Sequence, residues 1–176
     1  MKDKIIVIYK SKTGFTEMYA RLVAEKLKCD AFDIRNAAKE KLAEYDTCIF
    51  GTRAHAGMID GYKKAIRLIR DSGVEKMVLF VTGATPNSDE KTVEGFWRQN
   101  LTPDELEHIP HFYMQGGLRY EKMSLPDRLM MKMAARIMKN KKNKSQSDIE
   151  FEQAISSSYD ISSPEYIEPL ISYLNR

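Results

Sequence analysis

A run of hydroxyl residues around one glycine, Ser11-Lys12-Thr13-Gly14-Phe15-Thr16, is the part of the sequence best suited to bind a ligand. It follows an apolar, β-branched run that predicts a buried strand and precedes an amphipathic stripe that predicts a helix. Hydroxyl groups and free backbone N–H groups at the positive end of a helix suit a phosphate dianion. Gly14 would let the backbone approach that phosphate closely. The loop predicts a phosphate site, although a Ser/Thr-rich turn that only caps a helix has the same composition.

The glycine pattern restricts which class of nucleotide the loop can bind. The chain has neither the G-x-G-x-x-G fingerprint of dinucleotide sites nor the G-x-x-x-x-G-K-[ST] loop of nucleoside triphosphatases. A response regulator needs acidic residues after the first and third strands, where this chain has Tyr9-Lys10 and Gly51-Thr52. A terminal monophosphate held by hydroxyl groups remains, and FMN is the usual ligand that carries one.

The elements that must position this loop alternate between strand and helix along the chain, which indicates an α/β fold with a parallel sheet. Right-handed crossovers favour a flavodoxin-like, doubly wound, five-stranded parallel sheet of order 2-1-3-4-5. In such a sheet ligands bind at the carboxyl ends of the strands. Residues 1–176 are predicted to form a single domain, with residues 118–158 as a helical, basic insertion between the fifth strand and the last helix. The predicted strands are 5–9, 31–34, 47–50, 77–81 and 110–115.

Composition excludes several classes of protein. The net charge of +3 is too small to indicate nucleic acid binding by itself. No apolar stretch approaches the roughly 18 residues of a membrane span, and the first apolar run is too short for a signal peptide, which together predict a cytoplasmic protein. Cys29 and Cys48 have neither metal-site nor C-x-x-C spacing and are expected to be core thiols. No metal site is expected.

Residues 7–20 resemble the flavodoxin signature, in which an aromatic residue precedes a Ser/Thr-x-Thr-Gly-x-Thr loop and a helical alanine follows. Tyr9 and Ala20 occupy the aromatic and alanine positions. The resemblance implies that the side chains and backbone amides of the loop bind the phosphate of FMN. By position it assigns that role to Ser11, Lys12, Thr13, Gly14, Phe15 and Thr16.

The same resemblance implies that the flavin ring lies against the loops after the third and fourth strands, residues 52–58 and 82–88. Ordinary flavodoxins usually stack the ring on aromatic side chains there, but neither loop here contains Trp or Tyr. His55 is the only aromatic ring in these loops and could equally face solvent. Arg53 could stabilise negative charge on the reduced flavin. The predicted ring contacts are Arg53, Ala54, His55, Ala56, Gly57, Thr82, Gly83, Ala84 and Thr85.

A second motif, Gly116-Gly117-Leu118-Arg119-Tyr120, is similar to the Gly-x-Leu-Arg-Tyr turn of menaquinone-dependent protoporphyrinogen oxidases, which also carry a long helical insertion there. That resemblance implies an FMN-dependent oxidoreductase of haem biosynthesis that takes electrons from a porphyrinogen and passes them to a quinone. It adds Gly117 to the cofactor contacts and places Arg119 and Tyr120 at the substrate. The alternative is a flavodoxin-type electron carrier, whose partner would be a redox protein. No residue stands out as a general base.

The insertion is strongly basic. Residues 117–144 contain nine basic and two acidic residues, a local charge of +7. Basic residues and apolar residues each recur there at helical spacing. Such a helix, within residues 125–144, can lie peripherally on an anionic membrane surface or contact an acidic ligand. A helix packed over the sheet with a solvated basic face would give the same pattern.

Overall fold

A parallel sheet of five strands forms the centre of the computed structural model, which describes residues 4–144 and 146–175. A sixth strand, β4, is antiparallel to the end of β3. The spatial order is β2-β1-β3-β5-β6, which is 2-1-3-4-5 when only the parallel strands are counted, so the predicted flavodoxin-like fold is confirmed. The strands are β1 (Ile5–Tyr9), β2 (Asp30–Asp33), β3 (Thr47–His55), β4 (Met58–Ile59), β5 (Lys76–Gly83) and β6 (His111–Gln115).

Helices cover both faces of this sheet. They are α1 (Phe15–Leu27), α2 (Lys39–Leu42), α3 (Tyr62–Asp71), α4 (Glu90–Asn100), α5 (Pro103–His108), α6 (Leu125–Asn140), α7 (Gln146–Ile155) and α8 (Glu168–Leu174). Side chains of α1 and α8 pack on one face of the sheet, and side chains of α3 and α4 pack on the other. Alternate residues of β1 enter the two cores, which explains why this strand is apolar throughout.

Close packing between strands explains one glycine in the sheet. Gly51 of β3 lies against Phe80 of β5, and a Cβ at position 51 would come within 2.1 Å of the Phe80 ring. Any larger residue would displace that buried ring. Cys48 in the same strand is fully buried and Cys29 is partly buried, and burial raises the pKa of the Cys48 thiol to about 12 and that of Cys29 to about 11.

The structure departs from the sequence prediction at two connections. Strand β3 continues to His55 because it turns back into β4 through Ala56 and Gly57, whose φ angles of 49° and 77° are those of a tight hairpin turn. The predicted last helix, 164–174, is divided into a 3-10 turn at Pro164–Ile167 and the helix α8. Pro169 lies in the first turn of α8, where its missing N–H costs no hydrogen bond.

The inserted segment is tied to the sheet at both of its ends. Strand β7 (Gly117–Leu118) follows β6 and pairs with β8 (Tyr159–Asp160), while α6 and α7 lie between them in sequence. This antiparallel pair fixes where α6 leaves and where the chain returns. Among the described residues, no helix combines the length and the hydropathy that crossing a membrane requires.

Candidate functional site

A two-part cleft lies at the carboxyl ends of β1, β3, β5 and β6. We call its small part, about 80 Å³, the narrow cavity and its large part, about 670 Å³, the wide cavity. The narrow cavity is bordered by the loop after β1, and the wide cavity by α4 and α6. The two are continuous, because both are lined by Arg53, Ala54, Ala84, Leu118 and Met123.

The narrow cavity contains the start of α1. Gly14 precedes the helix with a φ of 95°, and no side chain caps its first turn. The backbone N–H groups of residues 15–17 therefore lack intrahelical partners. The Ser11 hydroxyl accepts a bond from the Gly14 N–H at 3.2 Å and can still donate its own hydrogen, and Thr13 lines the cavity. These groups supply the donors that a phosphate needs.

Thr16 and Thr82, two predicted cofactor contacts, lie against each other beneath this loop. Their hydroxyl oxygens are 2.7 Å apart and both residues are buried. The Thr82 hydroxyl also donates to the Thr52 carbonyl at 3.3 Å. The Thr16 hydroxyl is thus used inside the protein, and a contact between this residue and a phosphate stays a prediction. The backbone N–H of Thr16 lies in the first turn of α1, where it lacks an intrahelical partner.

Arg119 lies beside the phosphate loop. Its Nη1 donates to the Thr13 carbonyl at 3.1 Å, its Nη2 donates to Asp160 Oδ2 at 2.9 Å, and its guanidinium carbon lies 3.9 Å from the centroid of the Phe15 ring. A Cβ at Gly14 would come within 3.1 Å of Nη1. The predicted contact between Arg119 and the substrate stays a prediction, and the structure places the guanidinium beside the loop after β1 in the narrow cavity.

Tyr120 points away from the cleft. Its hydroxyl donates to the Ile155 carbonyl, and its ring lines a separate pocket between α6 and residues 156–158. Tyr120 lines neither the narrow nor the wide cavity, and its substrate role stays a prediction. Neighbouring residues of the turn point in opposite directions because Arg119 ends the extended segment after β7 and Tyr120 begins a 3-10 turn.

A charged cluster joins α6 to the floor of the wide cavity. Asp127 Oδ2 lies 3.4 Å from Arg53 Nη2 and 3.7 Å from Lys12 Nζ, and its Oδ1 lies 3.7 Å from His55 Nε2. Arg53 Nε also contacts Asp60 Oδ2 at 3.2 Å. Burial by itself would raise the pKa of Asp127, but a hydrogen bond with Ser124 and the nearby side chains of Arg53, Lys12 and His55 outweigh it, so its pKa is lowered. Neither Asp60 nor Asp127 was among the site residues predicted from the sequence.

The wide cavity is mostly apolar, with Thr92 and Gln99 of α4 among the few polar residues outside that cluster. Its floor contains residues 54–57 and Ala84-Thr85, all predicted ring contacts, and its roof contains Met130, Met131 and Ala134 of α6. Aromatic rings do border it, although the two loops have none of the expected type. Phe96 of α4 and Tyr113 of β6 lie edge to face, with their centroids 6.3 Å apart. Burial raises the pKa of Tyr113 to about 12, so its hydroxyl stays protonated and accepts the Thr85 N–H at 3.2 Å.

The remaining predicted contacts lie in the narrow cavity. Gly83 and Gly117 line it, and a Cβ at position 117 would come within 2.2 Å of the Tyr159 carbonyl oxygen. Together, the cleft has donors for an anion at one end and a flat apolar space at the other. The residues present therefore fit FMN, which combines a phosphate with a planar ring system.

Comparison with known proteins supports this assignment at the level of the family. A family model described as "Flavodoxin domain" matches residues 6–147. No curated protein matches the chain significantly.

Solved structures similar to this chain include a flavodoxin from the domain Archaea, with 11% identity, a TM-score of 0.44, and coverage of 87% of this chain and 99% of that one. A flavodoxin, WrbA-like protein from Agrobacterium tumefaciens has 21% identity, a TM-score of 0.42, and coverage of 72% and 88%. Oxidised Flavodoxin 2 from Bacillus cereus has 20% identity, a TM-score of 0.38, and coverage of 62% and 84%.

Proposed function

This chain belongs to the flavodoxin domain family, and from that premise we propose that it is an FMN-dependent dehydrogenase of the quinone-linked, protoporphyrinogen oxidase type. FMN is the cofactor of that family, which confirms the prediction made from the loop after β1. Flavin binding and electron transfer follow from the family. The finer assignment is our proposal, and it is supported by the turn at residues 116–120 and by the roof over the wide cavity.

The narrow cavity would hold the phosphate. Ser11 and Thr13 offer hydroxyl hydrogens, and the first turn of α1 offers backbone N–H groups aligned with the helix dipole. Arg119 adds a positive charge, and Asp160 and Phe15 hold its guanidinium in place. Charge-assisted bonds of this kind are stronger than bonds between neutral groups. FMN bound here supplies the redox chemistry, because it accepts electrons from one partner and passes them to another.

Charges on the protein would tune that chemistry. Arg53 lines both cavities and brings a positive charge to the cofactor site, and Asp60 and Asp127 partly balance it. Because its guanidinium is largely buried, its attraction for a nearby negative charge is screened less than at the surface. The same contacts hold α6 in place over the wide cavity.

The observation that carries the finer proposal is the roof itself. Helix α6 covers the loops after β3 and β5 with two methionines and an alanine. A cavity of about 670 Å³ lies within the range of small-molecule sites, and methionine side chains adapt to ligands of irregular shape. An electron carrier instead needs its flavin edge open to a protein partner. A roofed, apolar cavity favours a small hydrophobic reductant such as a porphyrinogen.

The direct test is to load the purified protein with FMN and record the flavin spectrum anaerobically while protoporphyrinogen is added, followed by a soluble quinone. We expect rapid bleaching, then reoxidation by the quinone. A variant that fills the cavity, Met131→Trp, should abolish bleaching by protoporphyrinogen but not by dithionite. Its matched control is Met133→Trp, which changes an exposed residue of the same helix and should behave like the wild type. A bound flavin that ignores protoporphyrinogen would contradict the dehydrogenase and leave the electron carrier.

A further inference from the structure

The outward face of α6 is apolar and exposed. Leu125, Leu129, Met133 and Ile137 follow one another at four-residue spacing, which places them along one side of the helix. Between 56% and 79% of each of these residues is exposed. We call these four residues the outer ridge. Single exposed apolar residues are common on proteins, but a contiguous row of this kind marks an interaction surface.

A row of cations runs beside the outer ridge. Arg128, Lys132, Arg136 and Lys139 recur every three or four residues on the adjacent side of α6, and we call them the basic row. Within the part of the chain that the structure describes, the last three make no ion pair. Arg128 donates from Nε to the Tyr120 carbonyl at 3.0 Å and has no carboxylate partner among the described residues. The helix therefore presents an apolar strip and a positive strip side by side.

An open pocket lies at the foot of the basic row. Its volume is about 440 Å³, and Arg128 and Lys132 line it together with the three serines at positions 156–158. Glu121 also borders it, but its carboxylate accepts a bond from the Ser158 hydroxyl at 2.8 Å. The hydroxyls of Ser156 and Ser158 already donate to the Gln153 carbonyl and to Glu121, so the two cations are the groups that favour a phosphate here.

We propose that the outer ridge and the basic row form a docking surface for a bilayer that contains anionic phospholipids. The ridge would enter the boundary between headgroups and acyl chains, and the basic row would contact lipid phosphates, with the pocket at residues 156–158 receiving one of them. The axis of α6 would then lie parallel to the membrane. This proposal goes beyond the reaction proposed above and does not depend on it.

Charge favours a membrane over a second copy of the chain. Two copies joined through the outer ridge would bring two basic rows together, and like charges across an interface oppose association. A lipid surface offers many phosphates and can follow a convex helix, whereas a protein partner must match its shape. The arrangement of one apolar strip flanked by cations is that of helices that lie in membrane interfaces.

The test is cosedimentation of the FMN-loaded protein with vesicles of phosphatidylcholine alone and with vesicles that contain one quarter phosphatidylglycerol. We expect binding to the second kind only, and weaker binding when salt is raised, because salt screens the basic row. Each cation near the surface contributes about fivefold to binding, so Lys132→Gln with Arg136→Gln should weaken vesicle binding by roughly 30-fold. The matched control is Lys63→Gln with Arg67→Gln, which removes two exposed cations at the same spacing from α3 and should leave binding nearly unchanged.

A second double variant, Leu129→Gln with Met133→Gln, should also lose vesicle binding. None of these changed residues lines the narrow or the wide cavity, so FMN affinity and the circular dichroism spectrum should stay as in the wild type. The proposal is overturned if the protein ignores anionic vesicles or if the basic-row variant binds as well as the wild type. It is also overturned if light scattering shows a dimer that Leu129→Gln with Met133→Gln abolishes, since the ridge would then join two copies.

Discussion

At the narrow end of the cleft, the donors that we assign to a phosphate come from one continuous segment, residues 11–17, together with Arg119. The wide end combines the loops after β3 and β5 with α4, β6 and the insertion helix α6. The narrow end is shaped by the backbone conformation at Gly14 and by the start of α1. The wide end depends on side chains that are up to 100 residues apart in sequence. Changes at the narrow end should therefore act on the cofactor, and changes at the wide end on the roof and the substrate.

The largest effect should come from Gly14→Val. Gly14 has a φ of 95°, which a β-branched residue adopts at a cost of about 2 kcal/mol, and a Cβ would meet Arg119. The loop would leave its binding conformation, and the apparent FMN affinity would fall by roughly 30-fold. Gly73→Val is the control, because Gly73 has a φ of 81° with open space around it and lies at the end of α3. Fluorescence titration with FMN measures the affinity of both variants, and equal affinities would contradict the role of Gly14 in the loop.

Next in size is Arg119→Ala. Loss of a charge-assisted contact to the phosphate should weaken FMN binding by about tenfold. Riboflavin lacks the phosphate, so its affinity should not change. Arg119→Lys should recover part of the loss, because the charge returns without the two-pronged geometry. If the affinity for riboflavin falls as much as the affinity for FMN, then Arg119 acts on the flavin ring or on folding. The assignment of Arg119 to the phosphate end would then be wrong.

At the roof, Asp127→Asn should lower stability and make it respond differently to pH. Loss of the ion pairs with Arg53 and Lys12 should cost about 1 kcal/mol near neutral pH, or about 2–4 °C in Tm. Because the folded state lowers the pKa of Asp127, its contribution is present above the ordinary carboxyl pKa of 3.8 and is lost as pH falls through the lower folded value.

The Tm difference between the wild type and Asp127→Asn should therefore stay nearly level above about pH 5 and shrink as pH is lowered below about 4. Asp104→Asn is a matched control on an exposed carboxylate of α5 that lies outside the cleft. Thermal unfolding followed by circular dichroism at several pH values gives both curves. A gap that stays constant or widens in acid would contradict the role of Asp127 in holding the roof.

The smallest expected effect is a gain in thermal stability from Ala56→Gly. Ala56 has a φ of 49° in the turn between β3 and β4, a conformation that costs an L-residue other than glycine about 1 kcal/mol. Ala56→Gly removes that strain and should raise Tm by about 2–4 °C, less the entropy that glycine loses on folding. FMN affinity serves as the control, since the backbone path of the turn should be kept. A lower Tm would show that the Ala56 methyl group contributes more by packing than its conformation costs.

The fold and the narrow end of the cleft could be predicted from the sequence, because local residue patterns determine both. Apolar runs and helical stripes define the strands and α1, and the hydroxyl residues around Gly14 define the loop. The turn through Ala56 and Gly57 lies in a predicted loop, and Ala-Gly is not a residue pair typical of tight hairpins. Helix α5 carries a clear signal, because Thr102 and Glu105 form a capping box and Pro103 occupies the first helical position.

The wide end could be predicted only in part, for a physical reason. Phe96 and Tyr113 reach the cavity from elements that local patterns assign to the core, so the aromatic wall was missed. Asp127 was counted as one acid within a basic segment, and its partners lie on distant strands and loops. Arg119 and Tyr120 show the same limit, because adjacent residues of one motif point to different sides of the insertion and only the chain path decides which faces the cleft.

The most direct test of the central claim is a pair of titrations of the wild-type protein, one with FMN and one with riboflavin. If the loop after β1 and Arg119 bind a phosphate, as the geometry of the narrow cavity indicates, then FMN should bind roughly 100-fold more tightly than riboflavin. Equal affinities would show that the narrow cavity does not recognise the phosphate, and would contradict the assignment of the loop after β1 as the phosphate site.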